Sequence, residues 1–394
     1  MASELKISAA DLRQWDLLAR FREQLTGRSQ GGLHCSWLDR RRILQYADYL
    51  SLFLFGLLNP ALKTMQALCA ASELERVQRE VCGASVSLGS FSEAQHLSDP
   101  AVLERVFKDL TEKIEGPMPG DPRLAWQQWF ARDSSLFAAL PRMSWALYGG
   151  GRGGKSRAVR LHLNLHLLED KPALMQVTAG NVCERKAWKE AWEKEAAYVG
   201  DRYFGESYSL LAELRQQGCS YVLRLRDEAV IHVQEELPLS AEDQAAGVIR
   251  QAWAILGARK GNGRVRVVWI AMAQGGTLQL VTNLSPEQLP AHLVGLLYRR
   301  RWQIECFFRW VKCLLGCRHW LAESQQGVTV QLYLALIAAV LLQLCTGRRP
   351  NKRMLELFQM YQLGWASLEE LLAGIERQQA REQAREQRRK IKKG

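Results

Sequence analysis

Between residues 158 and 168 apolar and polar side chains alternate. Val159, Leu161, Leu163, Leu165 and Leu167 stand against Arg160, His162, Asn164 and His166, the period of two that predicts a strand with one buried face. Shorter runs predict further strands at residues 133–141, 173–178, 197–201 and 220–226, with a helix over 185–196 and another from Glu206. Residues 1–125 follow a helical period instead, most clearly over 38–54 and 102–114. Asn59-Pro60 and the Gly/Pro-rich run 116–122 interrupt it, and the second marks a domain boundary. Residues 227–290 are β-rich, with strands at 264–272 and 277–282 joined through Gly275-Gly276 as in a hairpin. A helix over 298–312 gathers Ile304, Phe307, Phe308, Val311, Leu314 and Leu315 on one face. Tyr298, Arg301, Glu305 and Lys312 are spaced by three, four and seven residues and share a different stripe. The apolar run 328–345 fits a buried helix of an α/β domain; a membrane span is the alternative, at the short end of the necessary length and without a companion.

Composition narrows the partner. The 394 residues carry a formal charge of +12 and a pI near 9.4, which favours a polyanion, although ribosomal and membrane-surface proteins share that balance. Arg40, Arg41 and Arg42 start a helix and suit either phosphate contact or a solvated face. Arg377, Arg381 and Arg385 recur every fourth residue before the basic end at 388–393, so residues 364–394, within a helical basic tail at 347–394, read as a phosphate-seeking helix or a disordered arm. Thirteen Trp offer stacking surfaces, most of them destined for the core. Nine scattered cysteines without a C-x2-C pair indicate a reducing compartment. Cys313, Cys317 and His319 lack a fourth zinc ligand and read as buried thiols and a neighbouring His. The N-terminus has no secretion-signal pattern, and a cytoplasmic, nucleoid-associated protein is expected. The cluster Gly149-Gly-Gly-Arg-Gly-Gly-Lys-Ser156 leads into a strand with the wrong spacing for a phosphate-binding loop. A basic hairpin loop that could contact DNA is the remaining reading.

Glu305 is the only acid between Gln288 and Glu323, alone among cations on a helix whose other face is anchored. The pattern Tyr298-x2-Arg301-x3-Glu305-x6-Lys312 resembles the signature of the insertion-sequence-4 type of DDE transposases. Tyr221-Val-Leu-Arg-Leu-Arg226, Thr282-Asn-Leu284 and the signature come in that family's order, and the likeness covers about residues 130–345. Three strands, a helix and a fourth strand is also the order of a ribonuclease-H-like fold. The fold class expected is α/β, a ribonuclease-H-like mixed sheet flanked by helices. The organisation expected is a helical N-terminal DNA-binding or dimerisation domain (1–125), a catalytic domain in two parts (126–226 and 291–346), a β-rich insertion (227–290) between them, and a basic tail (347–394).

The resemblance implies that three acids hold metal: Asp133 in the first strand, Asp201 at the end of the fourth, and Glu305. Asp170 rivals Asp133 but lies on a turn. The family more often has Asp-Arg-Gly-Tyr where this chain has Asp201-Arg-Tyr-Phe-Gly205, which displaces the glycine and keeps the acid. Two Mg²⁺ ions, for which Mn²⁺ could substitute, would serve an in-line displacement at phosphorus. By the same resemblance Tyr298, Arg301 and Lys312, with Arg202, contact DNA, and Trp269 is either a platform for a flipped base or a core residue. The implied activity is cut-and-paste transposition by a homodimer on double-stranded DNA, at terminal inverted repeats and a target, through a hairpin intermediate and without a membrane. The alternatives are an inactive transposase-derived DNA-binding protein and a ribonuclease-H-like nuclease.

Overall fold

The alternating stretch is a strand, but both of its faces are covered: Leu161, Leu163 and Leu165 are fully buried, and so are His162 and Asn164. A computed structural model describes residues 14–26, 34–39, 41–114, 121–151, 154–257, 263–273, 275–315, 320–347 and 350–391. Arg40, residues 116–120, Arg152, Cys317, His319, Lys392 and Lys393, on which some expectations fell, lie outside the described residues.

The chain opens with helices α1 (Gln14–Thr26), α2 (Tyr46–Leu58), α3 (Met65–Ala71), α4 (Glu75–Val77), α5 (Leu88–Leu97) and α6 (Pro100–Glu112). Strands β1 (Trp129–Ala138), β2 (Leu147–Gly151), β3 (Gly154–His166) and β4 (Lys171–Ala179) follow. Next come α7 (Glu184–Lys189), β5 (Ala197–Gly200), α8 (Arg202–Gly205), α9 (Tyr208–Gln216) and β6 (Ser220–Arg224). The β-rich stretch holds β7 (Ile231–Glu236), α10 (Ala241–Ala245), β8 (Val248–Leu256), β9 (Val265–Ala271) and β10 (Thr277–Thr282). Helices α11 (Ala291–Arg300), α12 (Trp302–Leu314), α13 (Gln325–Thr346), α14 (Lys352–Gln362) and α15 (Leu368–Ile391) complete the chain.

These elements form two units, one of residues 1–114 with 309–394 and one of residues 115–308. In the first, α13 is long and apolar enough to cross a membrane by length and composition, and 89% of its most apolar window is buried inside the protein. It packs on α2 and α6. Ser324 caps its start by accepting from the Gly327 amide, and Gly347 ends it at φ 65°. The buried-helix expectation therefore holds, but α13 sits in the helical unit and not in the α/β domain. The reason is long-range: twelve of the thirteen residues of α2 are buried, and α13 supplies part of the apolar cover they require.

In the second unit the strands run β4-β3-β1-β5-β6, with β5 parallel to both β1 and β6, and β3 antiparallel to both β1 and β4. Numbered without the β2 hairpin arm, that is the 3-2-1-4-5 order of a ribonuclease-H-like core. The β-rich stretch does not stand apart from it, because β10, β9, β8 and β7 continue the same sheet in antiparallel steps from β6. The β9–β10 hairpin forms as expected; Gly275 and Gly276 take φ values of 89° and 86° at its turn, a region that favours glycine.

Three local expectations are corrected. The first strand begins at Trp129 rather than at Asp133, because Trp129, Phe130, Ala131 and Arg132 are all buried and a strand covered on both faces shows no alternation. The helix after β4 ends at Lys189, short of Ala196. The polar row of β3 does not face solvent. Arg132 donates to Asn164 Oδ1 (3.1 Å) and Gln176 Oε1 (2.9 Å), and His162 Nε2 meets Thr178 Oγ1 at 2.9 Å, so the second face is a hydrogen-bonded polar layer. Burial pushes His162 down to about 3, which keeps its ring neutral.

Candidate active site

The chain emerges from the core at Asp133: the four residues before it in β1 are buried and the four from 133 to 136 are half-buried. Parallel β1 and β5 pair Trp129 with Ala197, Phe130 with Tyr198 and Ala131 with Val199. Asp133 is the fifth residue of β1, which runs on past it to Ala138, and Asp201 directly follows β5; the two acids are near enough for the charge of Asp201 to act on Asp133. Asp201 is also the N-cap of α8, accepting from the Tyr203 amide at 3.0 Å. Asp170 occupies the turn after β3, whose last residue, His166, pairs with Phe130, three residues before Asp133 in β1.

The third acid arrives on a helix. The expected single helix over 298–312 is two, α11 and α12, which meet at Arg301 in a helical conformation. Arg301 Nη1 donates to Asp133 Oδ2 at 3.1 Å and Nη2 to Glu305 Oε1 at 2.5 Å, so one planar fork joins two carboxylates distant along the chain. Its guanidinium carbon lies 5.7 Å from the Tyr298 ring centroid. The apolar face is as expected: Ile304, Phe307, Phe308, Val311, Leu314 and Leu315 are all buried. This anchors the helix while Glu305 stays half-buried on the other side.

Charge is unevenly compensated here. Burial pushes the Asp133 carboxyl up to about 6; Arg301 and the Ser134 amide, which donates to Oδ1 at 2.8 Å, work against that, and the charges of Asp201 and Glu184 add to it. Burial disfavours the Arg301 guanidinium, yet Asp133, Tyr298 and Glu305 outweigh it and its pKa is raised. Glu184, at the start of α7, was not singled out from the sequence. It pairs with Arg160, which also donates to Ser134 Oγ at 3.2 Å. Its only sequence signal was an acid in a first helical turn.

Hard carboxylate oxygens suit Mg²⁺, and Asp133 and Glu305 share a single guanidinium with Asp201 and Glu184 near enough to act on Asp133 by their charge. The donor set therefore fits a divalent ion. Among the described residues, no three His, Cys, Asp or Glu side chains close around one point: Asp133 and Glu305 face Arg301, and Asp201 turns an oxygen onto its own helix.

The DNA-contact expectations divide. Tyr298 and Arg301 stand at the acids. Arg202 is exposed at the first position of α8, and Lys312 falls in the stretch of α12 that belongs to the helical unit. Of the two readings of Trp269, the core one matches its place: it is 9% exposed, belongs to the core cluster, and carries the Arg250 guanidinium 4.8 Å from its ring centroid. Strand β9 is covered on both faces, which leaves that indole no open face for a base. Trp302, next to Arg301, is by contrast 56% exposed.

The fold defines a ribonuclease-H-like domain, with one carboxylate on its first strand, one just past its fourth and one on a later helix. The model of the family described as transposase DDE domain matches residues 126–341, more than half of the chain, and the chain belongs to that family. It is 29% identical over 197 residues to the putative transposase y4zB of Sinorhizobium fredii, covering 48% of this chain and 54% of that one. It is 29% identical over 205 residues to the probable transposase for insertion sequence element IS5377 of Geobacillus stearothermophilus, covering 51% and 52%. The matches thus span about half the length of these two relatives. Among solved structures it is similar to the piggyBac transposase in a synaptic complex with hairpin DNA, at 10% identity and a TM-score of 0.42, over 91% of this chain and 81% of that one.

Proposed function

We propose that the protein is the transposase of an insertion sequence, cutting DNA at the terminal inverted repeats and joining the freed ends to target DNA by cut-and-paste. The observation that carries this reading is the meeting of Asp133 and Glu305 on Arg301, with Asp201, just past the end of the next parallel strand, near enough for its charge to act on Asp133. In this reading Asp133, Asp201 and Glu305 hold Mg²⁺, or Mn²⁺ in its place. When bound, the metal supplies an activated water or 3′-hydroxyl and neutralises charge at the scissile phosphate.

The chain's own groups have separate tasks. Asp133 is fixed by its place in β1, Asp201 by its cap on α8 and Glu305 by the buried face of α12, so the acids need little reorganisation when DNA arrives. Arg301, backed by Tyr298, offers a bidentate donor to a phosphate beside the cut, and Arg202 and Lys312 add positive charge. Residues 1–125 serve in end binding and in forming a homodimer on DNA, and the ends are resolved through a hairpin.

The test is incubation of purified protein with Mg²⁺ and duplexes that carry or lack the element's ends. End-specific nicking, abolished by Asp201→Asn with DNA binding retained, is the expected result. Binding without nicking, unchanged by that substitution, would point to an inactive DNA-binding relative. Cleavage of branched or hybrid DNA without end specificity would point to a ribonuclease-H-like nuclease.

A further inference from the structure

The Arg301 guanidinium occupies a place between two of the three acids assigned to the metal. One terminal nitrogen serves Asp133 and the other serves Glu305, while Nε is buried with no hydrogen-bond partner. The Arg301 side chain is 13% exposed, against 20% for Asp133 and 30% for Glu305, so the cluster borders solvent and small ions have access to it. A guanidinium brings one positive charge to these oxygens at 2.5 and 3.1 Å. A Mg²⁺ ion would bring two at about 2.0–2.1 Å. Both cations cannot use the same oxygens in full.

We propose that Arg301 is a resident counter-ion for the metal-free site, which a divalent ion displaces and which is then released to take a DNA phosphate. The proposal rests on the metal-site reading above and adds to it a competition between a side chain and the metal. Without Arg301, Asp133 and Glu305 would repel each other and splay; with it they are held together but are partly satisfied. The exchange is favourable when the divalent ion gives more charge at shorter range and the freed fork finds a phosphate, whose geometry it matches. Metal and DNA then strengthen each other's binding, and by linkage the coupling is the same in either order.

The sign of one substitution separates this role from ordinary positioning. Mg²⁺ is titrated calorimetrically into DNA-free full-length wild type, Arg301→Gln and Arg301→Lys. The expected result is that Arg301→Gln binds Mg²⁺ about tenfold tighter, whereas Arg301→Lys, which keeps a competing charge, stays close to wild type. Equal or weaker binding by Arg301→Gln overturns the proposal, because a residue that merely aligned the acids would lose affinity when removed.

A second measurement does not depend on a variant's folding. In wild type labelled with ¹⁵N-arginine, saturating Mg²⁺ should move the Arg301 side-chain resonance, assigned by its loss in Arg301→Lys, towards a solvent-exposed position. An unmoved resonance overturns the displacement. Asp133→Asn keeps the two readings apart: if it abolishes Mg²⁺ binding while Arg301→Gln leaves affinity unchanged, the metal site stands and the counter-ion role falls. Without Asp133-dependent binding, both fall.

Discussion

Ionised Asp133 costs the folded protein free energy, and pH shows where. Its carboxyl sits at about 6 in the folded protein, against an ordinary value of 3.8. The group is protonated in both states below about pH 4, ionises only in the unfolded chain between the two values, and is ionised in both above about pH 6. The favourable contribution of protonated Asp133 is thus complete below the lower value and is lost as pH rises through the upper one, by about 3 kcal/mol in all. Asp133→Asn should therefore be more stable than wild type above about pH 6, and the gain should shrink between about pH 6 and 4. Denaturant melts of both proteins across that range check this; a constant difference would contradict the burial argument. Mg²⁺ binding should weaken over the same window, since the carboxyl must be ionised to act as ligand.

Strand β5 hands Asp201 to α8, and that turn depends on one glycine. A Cβ at Gly205 would stand 2.1 Å from the Arg224 carbonyl oxygen of β6, a backbone atom that cannot swing aside. Gly205→Ala should cost about 1–3 kcal/mol in urea denaturation and should reduce strand cleavage through displacement of Asp201; unchanged stability and cleavage would contradict the contact. The family pattern Asp-Arg-Gly-Tyr raised a question that this turn answers, because the close approach comes at the fourth residue after Asp201. Elements with a local period were legible: β3, the β9–β10 hairpin, and the apolar face of α12 that points Glu305 outward. The beginning of β1 was not, since Trp129 to Arg132 are buried on both sides and alternate in nothing. The polar row of β3 was misread as a solvent face because Asn164, His162 and their partners Arg132 and Thr178 come from different strands, and hydrogen bonds between strands leave no mark on a single stretch. Trp269 was left open for the same reason: an indole on a strand reads alike whether a base or Arg250 covers it.

The division of the whole chain was the least legible feature, because α13 joins a unit begun more than two hundred residues earlier. A fragment ending at Ile114 would leave α2 without α13 and should aggregate or lack a cooperative melt; a cooperative thermal transition by circular dichroism would contradict that dependence. The net charge of +12 acts at the same scale. Binding to duplex DNA should weaken about a thousandfold between roughly 50 and 200 mM salt if six or more phosphates are contacted, and a flat dependence would count against a broad basic surface. The central claim, that Asp133, Asp201 and Glu305 share divalent ions, is tested most directly by anomalous diffraction from crystals grown with Mn²⁺. Peaks within about 2.5 Å of oxygens from all three acids, with Arg301 turned away from Asp133 and Glu305, are the predicted result. Manganese bound elsewhere, or none at these acids with Arg301 still joining them, would contradict the account.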